Sequence, residues 1–306
     1  MTTITAPIAA AAAPVGVATR RRRRVLRTTA WGTLGLGASM LWVFPVYWML
    51  LSALTPNARL RATTPSFLPT HATWSNFASV LTNPQSNFWG ALRMSLAVTL
   101  TTVVVVLLFA FLASIAISRF SFRGRKAFVL AVLFIQMLPA EGLFIAQYKM
   151  LASVGEVAPM FGLETVLGLS VLYVAAIIPF TVWMLRGFVA GVPAELEEAA
   201  MVDGLSRTGA FVRITLPLLA PGLVASGVYA FLQAWNEFTV AVVILQKSSQ
   251  TLPLWLRGFL TASAQRGVDW AEVMAASTLI AVPVIIFFLI VQGRMTSGLV
   301  SGAVKG

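Results

Sequence analysis

Cysteine is absent from this 306-residue chain, and histidine occurs once, as His71. Thiol nucleophiles, disulfides and cysteine metal sites are therefore excluded. His71 stands in a polar, proline-bearing stretch and reads as a solvated loop residue, because a metal site needs partners that its neighbourhood does not offer. The residues left to do chemistry are amides, carboxylates and aromatics, which bind more readily than they react. Gln136, Glu141, Tyr229, Gln233, Trp235, Asn236 and Glu237 interrupt strongly apolar runs. A second group, Glu195, Glu197 and Glu198, is packed into a polar stretch between two such runs. No Gly-x-x-x-x-Gly-Lys-Ser/Thr phosphate loop occurs, so the chain does not cradle a nucleotide by that route.

The elements that must position these residues are membrane helices. Hydrophobic residues make up 58% of the chain and charged residues only 10%, against about a quarter charged in soluble domains. A spanning helix needs about 20 mostly apolar residues. Six stretches qualify: 31–54, 91–118, 127–149, 166–187, 219–244 and 271–292. Pro45, Pro139, Pro179 and Pro283 interrupt four of them, which membrane helices tolerate when neighbours satisfy the freed carbonyls. The expected fold is all-α and polytopic, with one transmembrane domain over 30–306. Residues 1–29 are Ala/Thr/Pro-rich and then basic, and read as a disordered cytoplasmic tail. Arginines before an apolar run also suggest an export signal, but no small-residue cleavage site follows and the run continues through Trp42, Phe44 and Trp48.

Net charge is +12, which raises nucleic acid as a partner; the distribution points to lipid instead. Fifteen of the 22 basic residues fall on one side of the six-span arrangement: Arg20 to Arg24, Arg27, Arg119, Arg123, Arg125, Lys126, Arg186, Arg207, Arg213, Arg294 and Lys305. The positive-inside rule then places both termini and the 188–218 loop in the cytoplasm. Segment 55–90 is external, a proline-rich cap with a short helix near 74–82 whose aromatics rest on the membrane surface or meet a soluble partner.

Loop 188–218 has its own start and stop signals. Pro193 suits a helix start, where its missing N–H costs nothing. Glu195, Glu197 and Glu198 fall in the first turns, at the positive end of the helix dipole. Gly204 occupies a left-handed C-cap position, and Ser206 can cap the next helix, which runs to a stop near Pro217. A surface-lying helix favours Lys and Arg; this one is acidic. Its alanines permit close approach, and its carboxylates offer charge-assisted bonds to a partner.

Glu198-Ala199-Ala200, Asp203-Gly204, Ile214 and Leu216-Pro217 resemble the EAA signature of ABC importer permeases. The resemblance implies that this helix is a coupling helix seated in a cleft of a separate ATP-hydrolysing subunit. Other stretches resemble the carbohydrate-uptake branch, in particular the second permease of maltose-type systems: Arg119 to Lys126, Gln136-Met137-Leu138-Pro139, Ile178-Pro179-Phe180 with Trp183 and Leu185-Arg186-Gly187, Trp235-Asn236-Glu237-Phe238, and the ending Gly302 to Gly306. One position departs: Met94-Ser95 stands where an Asn-Ser pair is usual. The resemblance covers about 30–306. It implies a type I importer permease fold in a bacterial inner membrane and a small solute as cargo, with a sugar foremost. The implied partners are a second permease, an ATPase dimer carrying ATP and Mg, and an external solute-binding protein. No binding domain is fused here, and no cofactor or metal is expected on this chain. The tail 293–306 is expected either as a loose terminus or as an ATPase contact.

Within that frame the intramembrane polar residues have two readings. Glu141 lies about 21 Å along its run and Asn236 about 26 Å along its own, near the external mouth. They are interfacial residues bonded to neighbours, with Arg93 as counter-ion, or Gln136, Glu141, Gln233 and Asn236 line a solute path with Tyr229 and Trp235 as aromatic faces. The path reading requires the third and fifth spans to face each other. Other cargoes (a glycerophosphodiester, polyamine or peptide) fit the same motifs. An ion-coupled secondary transporter would show inverted repeats and midplane carboxylates, and an intramembrane enzyme would show a nucleophile with its base; neither pattern is visible.

Overall fold

The computed structural model describes residues 15–303 apart from 63, 65, 85, 139, 247 and 266, with side chains left out for 15–27, 140, 141 and 294–303. Among the described residues there are helices and turns and no strand. Five helical stretches are long and apolar enough to cross a membrane: Thr28–Ala53, Phe88–Arg119, Val166–Gly191, Arg207–Asn236 and Trp270–Gly293. They match five of the six expected spans to within a few residues at most ends.

Helix α1 runs Val15–Ala53, α2 Asn57–Leu60, α3 Ser75–Thr82 and α4 Phe88–Arg119. The expected tail 1–29 is corrected in its second half. Residues 15–29 form the first turns of α1, because arginine is a good helix former and each added residue extends an existing ladder. Residues 1–14 lie outside the described residues.

The expected continuous span 127–149 is also corrected. It is two helices, α5 (Arg125–Ile135) and α6 (Phe144–Val157), joined by a 3₁₀ turn at Ala140–Leu143. Pro139 explains the break, since a proline disfavours helical backbone at the preceding residue and supplies no N–H. At 11 and 14 residues, neither piece alone spans a bilayer.

Next come α7 (Val166–Gly191), α8 (Glu195–Val202) and α9 (Arg207–Ala210), then a π turn at Phe211–Thr215 leading into α10 (Leu216–Asn236). The run expected at 219–244 stops at Asn236, and α11 (Thr239–Ile244) is separate. Helix α12 spans Leu252–Ala264 and α13 Trp270–Ala303. The expected tail 293–306 is thus helical through Ala303, as an extension of an existing ladder; residues 304–306 lie outside the described residues.

The centre is built where α4 packs along α7 and α10 closes over both. Val98 and Val106 of α4 meet Leu169, Tyr173 and Ile177 of α7 and Ala230 and Ala234 of α10. Small hydroxyl residues share this interior: Ser95, Thr99, Thr102, Ser170, Thr181 and Ser226 are all buried. Lipid gives helices no hydrophobic reason to associate, so close approach through small residues and van der Waals contact holds them. A second cluster, around Phe231, Trp235, Trp255 and Ala276, joins α10 to α12 and α13. The expected short helix of the cap is α3, and Asn76 Nδ2 ties it to the end of α1 by donating to the carbonyls of Ala53 and Thr55 at 2.7 and 3.1 Å. Helix α1 contrasts with the centre: Trp31, Leu34, Leu41 and Trp42 are exposed. This face is left for lipid or another chain.

Candidate functional site

The loop after α7 folds as its residues dictate. Glu195, Glu197 and Glu198 occupy the first turn of α8. At its far end Gly204 has φ +92. The Leu205 N–H donates to Ala200 O and the Gly204 N–H to Met201 O, both at 3.1 Å. This pair of bonds is a Schellman terminus, which requires a left-handed residue that glycine adopts most easily. Two residues on, Ser206 Oγ accepts from the Gly209 N–H at 3.1 Å and caps α9. The helix, its stop and its restart match the expectation, but the expected stop near Pro217 is corrected: the helical path continues from Arg207 to Asn236, because Pro217 falls in the first turn of α10, where its missing N–H costs little.

The structure adds an anchor. Arg119, the last residue of α4, sits 3.2 Å from the Glu197 carboxylate, and both side chains are under one-fifth exposed, at 19% and 17%. It is the one ion pair among the described residues. Arg119 also donates to Val192 O at 3.1 Å, and Thr215 Oγ1 donates to the same Glu197 oxygen at 2.7 Å. Glu197 therefore fastens α8 to the ends of two membrane helices. Sequence reasoning counted Glu197 only as a first-turn acid and Arg119 only as a loop cation. The available signal was an arginine closing one apolar run and a carboxylate just past another, but nothing in the spacing pairs them. The π turn also escaped notice. There the Leu216 N–H reaches Phe211 O, five residues back, and the widened turn precedes Pro217, which has no N–H to give.

With Glu197 occupied, Glu198, Ala199, Asp203 and Gly204 remain exposed, while Ala200 packs inward. Val202 is 88% exposed. Of the other expected contact positions, Ile214 and Leu216 are half-buried and Pro217 is exposed. Asp203 stands at the negative end of the α8 dipole, where a carboxylate is unfavourable. Its place is not explained by the stability of α8.

The polar residues of the membrane region divide. Tyr229, Gln233 and Asn236 recur at i, i+4 and i+7 and so share one face of α10. Gln233 Nε2 donates to Tyr229 Oη at 3.1 Å, and Asn236 Nδ2 donates to Leu232 O at 2.8 Å. The Tyr229 ring lies 4.6 Å from that of Phe180 on α7. One turn earlier on α7, Ala176 O accepts from Gln136 Nε2 at 3.2 Å. Gln136 and Tyr229 thus meet the same wall, beside the carbonyl that Pro179 leaves free. The third and fifth spans approach it separately.

Trp235 does not join them. It is 2% exposed and stacks on Phe231 at 5.6 Å, because it projects from the opposite face of α10. Glu237 plays a structural part, since its two carboxylate oxygens accept from the Val240 and Ala241 N–H groups at 2.7 and 3.1 Å and so cap α11. Arg93 takes no ion pair among the described residues, and Glu237 is engaged elsewhere. Glu141 lies in the 3₁₀ turn, and its side chain is outside the described residues. Aromatic faces that sequence reasoning passed over as path residues are Phe180 and Trp183, whose rings lie 5.8 Å apart; their spacing of three on an apolar helix was the signal.

A helical bundle with five long apolar stretches and a short acidic helix set between two of them defines a class: polytopic membrane proteins. The chain belongs to the family of binding-protein-dependent transport system inner membrane components, which matches residues 107–299. It is 42% identical over 86% of its length to the diacetylchitobiose uptake system permease protein DasC of Streptomyces coelicolor, covering 92% of that protein. It is 32% identical over 88% of its length to the trehalose/maltose transport system permease protein MalG of Thermococcus litoralis, covering 93% of it. Its fold matches a chain of the crystal structure of a bacterial ABC transporter that imports the acidic polysaccharide alginate, with a TM-score of 0.69 at 23% identity over 89% of this chain and 97% of that one. The chain is a multi-pass transport component of the inner membrane and not an enzyme.

Proposed function

We propose that this chain is one permease half of an ATP-driven importer for a sugar or oligosaccharide, and that α8 carries the coupling. The observation that supports coupling most is the Arg119–Glu197–Thr215 anchor. It fixes a short helix to α4 and to the root of α10, and leaves Glu198, Ala199, Val202 and Asp203 facing out. A solvated loop has no use for an exposed valine beside a carboxylate at the wrong end of a dipole. A partner's groove has use for both.

In this reading α5, the 3₁₀ turn and α6 together make the third of six crossings, and both termini are cytoplasmic. A second permease covers part of the exposed apolar surface. An ATPase dimer binds ATP and Mg and takes α8 in its cleft. An external solute-binding protein delivers the cargo. The sugar assignment draws on the relatives named above and on the α7/α10 wall, where Gln136, Gln233 and Asn236 offer hydrogen bonds beside Tyr229, Phe180 and Trp183.

Purification of the tagged chain in mild detergent tests this reading. An ATPase and a second permease are expected to co-purify, with ATPase activity that rises when an oligosaccharide and its binding protein are added. A chain that comes down alone with 193–217 intact sinks the coupling assignment. A complex stimulated only by a glycerophosphodiester, polyamine or peptide keeps the machine and replaces the cargo.

A further inference from the structure

Where α1 ends, the chain crosses back over it and frames a cavity of about 310 Å³ that is open to solvent, with Arg59, Thr70 and His71 exposed at its mouth. Its walls include Trp48, Ser52 and Thr55 of the α1 end, Arg59 of α2, and Thr70 and His71 of the returning segment. The frame is held on both sides. Tyr47 Oη donates to Phe67 O, the Trp48 and Phe67 rings lie 5.7 Å apart, and the Thr73 N–H donates to Leu54 O at 2.8 Å.

Two features of this cavity are unbalanced. First, among the described residues no aspartate or glutamate lines it, and the Arg59 guanidinium has neither a hydrogen bond nor an ion pair with any of them. A cation in a pocket without a counter-charge attracts an anion. Second, Ser52 is only 4% exposed, yet its hydroxyl has no hydrogen-bond partner among the described residues. The hydroxyl therefore opens to the cavity, where a ligand oxygen can replace water. The Thr70 hydroxyl adds a donor and an acceptor on the same walls, and the Thr55 hydroxyl, which donates to Leu51 O at 2.7 Å, adds an acceptor.

We propose that this cavity binds a phosphate-bearing, hydroxylated group, with the phosphate on Arg59 and His71 and the hydroxyls against Ser52 and Thr70. Immediately beside it α1 exposes Tyr47 and Leu50, and the returning segment exposes Phe67 and Leu68. Apolar and aromatic residues of this kind settle at the membrane–water interface. The same chemistry has two sources, a lipid headgroup such as phosphatidylglycerol or a soluble phosphate ester. The bordering apolar surface favours the lipid, whose tails would cover it. The leaflet that supplies the lipid follows from the outward placement of the cap; binding itself does not. Sidedness and retention therefore fail separately.

The test is native mass spectrometry of the full-length chain in detergent, titrated with phosphatidylglycerol, phosphatidylcholine or glycerol 3-phosphate. Phosphatidylglycerol is expected to bind at least about tenfold more tightly than phosphatidylcholine, and Arg59→Gln is expected to lower that affinity by about tenfold, the worth of one charge-assisted contact. Thr70→Val, close to isosteric, is expected to weaken binding with the thermal midpoint unchanged. Arg61→Gln is the local control, because Arg61 donates to Val268 O at 2.6 Å and does not line the cavity. Binding of glycerol 3-phosphate alone with the same Arg59 dependence assigns the soluble source. Equal losses in Arg59→Gln and Arg61→Gln, or no loss in either, overturn the site.

Discussion

At the scale of single residues, Glu197 decides what α8 is attached to. It accepts from Thr215 and pairs with Arg119, and both members of the ion pair are mostly buried. Glu197→Gln keeps a group that can accept from Thr215 and removes the ion pair. A partly buried pair of this kind is worth about 1–2 kcal/mol. The expected result is a lower thermal midpoint together with weakened ATPase association, read by melting and by pull-down of the same variant. Association at wild-type strength would show that the anchor does not position the helix. Sequence patterning exposed the acids of this loop and their place at the dipole's positive end. It could not separate the one that faces inward from the two that face out, because that depends on where α4 ends relative to α8. Trp235 teaches the same lesson. Its motif neighbours Asn236 and Glu237 are polar, yet one face of a helix is lost within a single residue, so Trp235 enters the core while Asn236 does not.

At the scale of elements, terminators were the most legible feature. Gly204 and Ser206 stand where stop and start signals require, and α8 and α9 obey them. An added Cβ at Gly204 meets nothing within 4 Å, so Gly204→Ala costs only the left-handed backbone, about 1 kcal/mol. Transport is expected to fall with membrane insertion intact, and Gly204→Asn, which tolerates that backbone better, is expected to retain more activity in a solute-uptake assay. The cap of α11 offers a second check. Glu237→Gln leaves at most one of the two N–H groups well served and is expected to lower stability by about 1 kcal/mol. A changed transport affinity with an unchanged melting temperature would return Glu237 to the solute path. The sequence was less legible at the third span. Hydropathy averages over Pro139 and reports one apolar run where the backbone makes two helices. At the chain ends the difference has the opposite origin, since low complexity and charge hid helix over 15–29 and 293–303.

At the scale of the whole molecule, the sidedness of the bundle is open to direct measurement because the chain has no cysteine. A single cysteine at Ala78, exposed on α3, is expected to react with an impermeant maleimide in intact cells. One at Thr208, exposed beside α8, is expected to react only after the membrane is opened. The reverse pattern would invert the topology and move α8 away from any cytoplasmic ATPase. The stretch Arg207–Asn236 keeps a helical path across 30 residues, through the π turn at Phe211–Thr215. At about 1.5 Å per residue it is a connecting rod of about 45 Å. One end is rooted beside the anchored helix and the other carries Asn236. A tilt of about 10° at the root would sweep the far end through about 8 Å, roughly the width of a sugar ring, by plain lever geometry on that length. The stroke needed to open or close a mouth is therefore available from gearing alone, without any relay of side chains between the two ends.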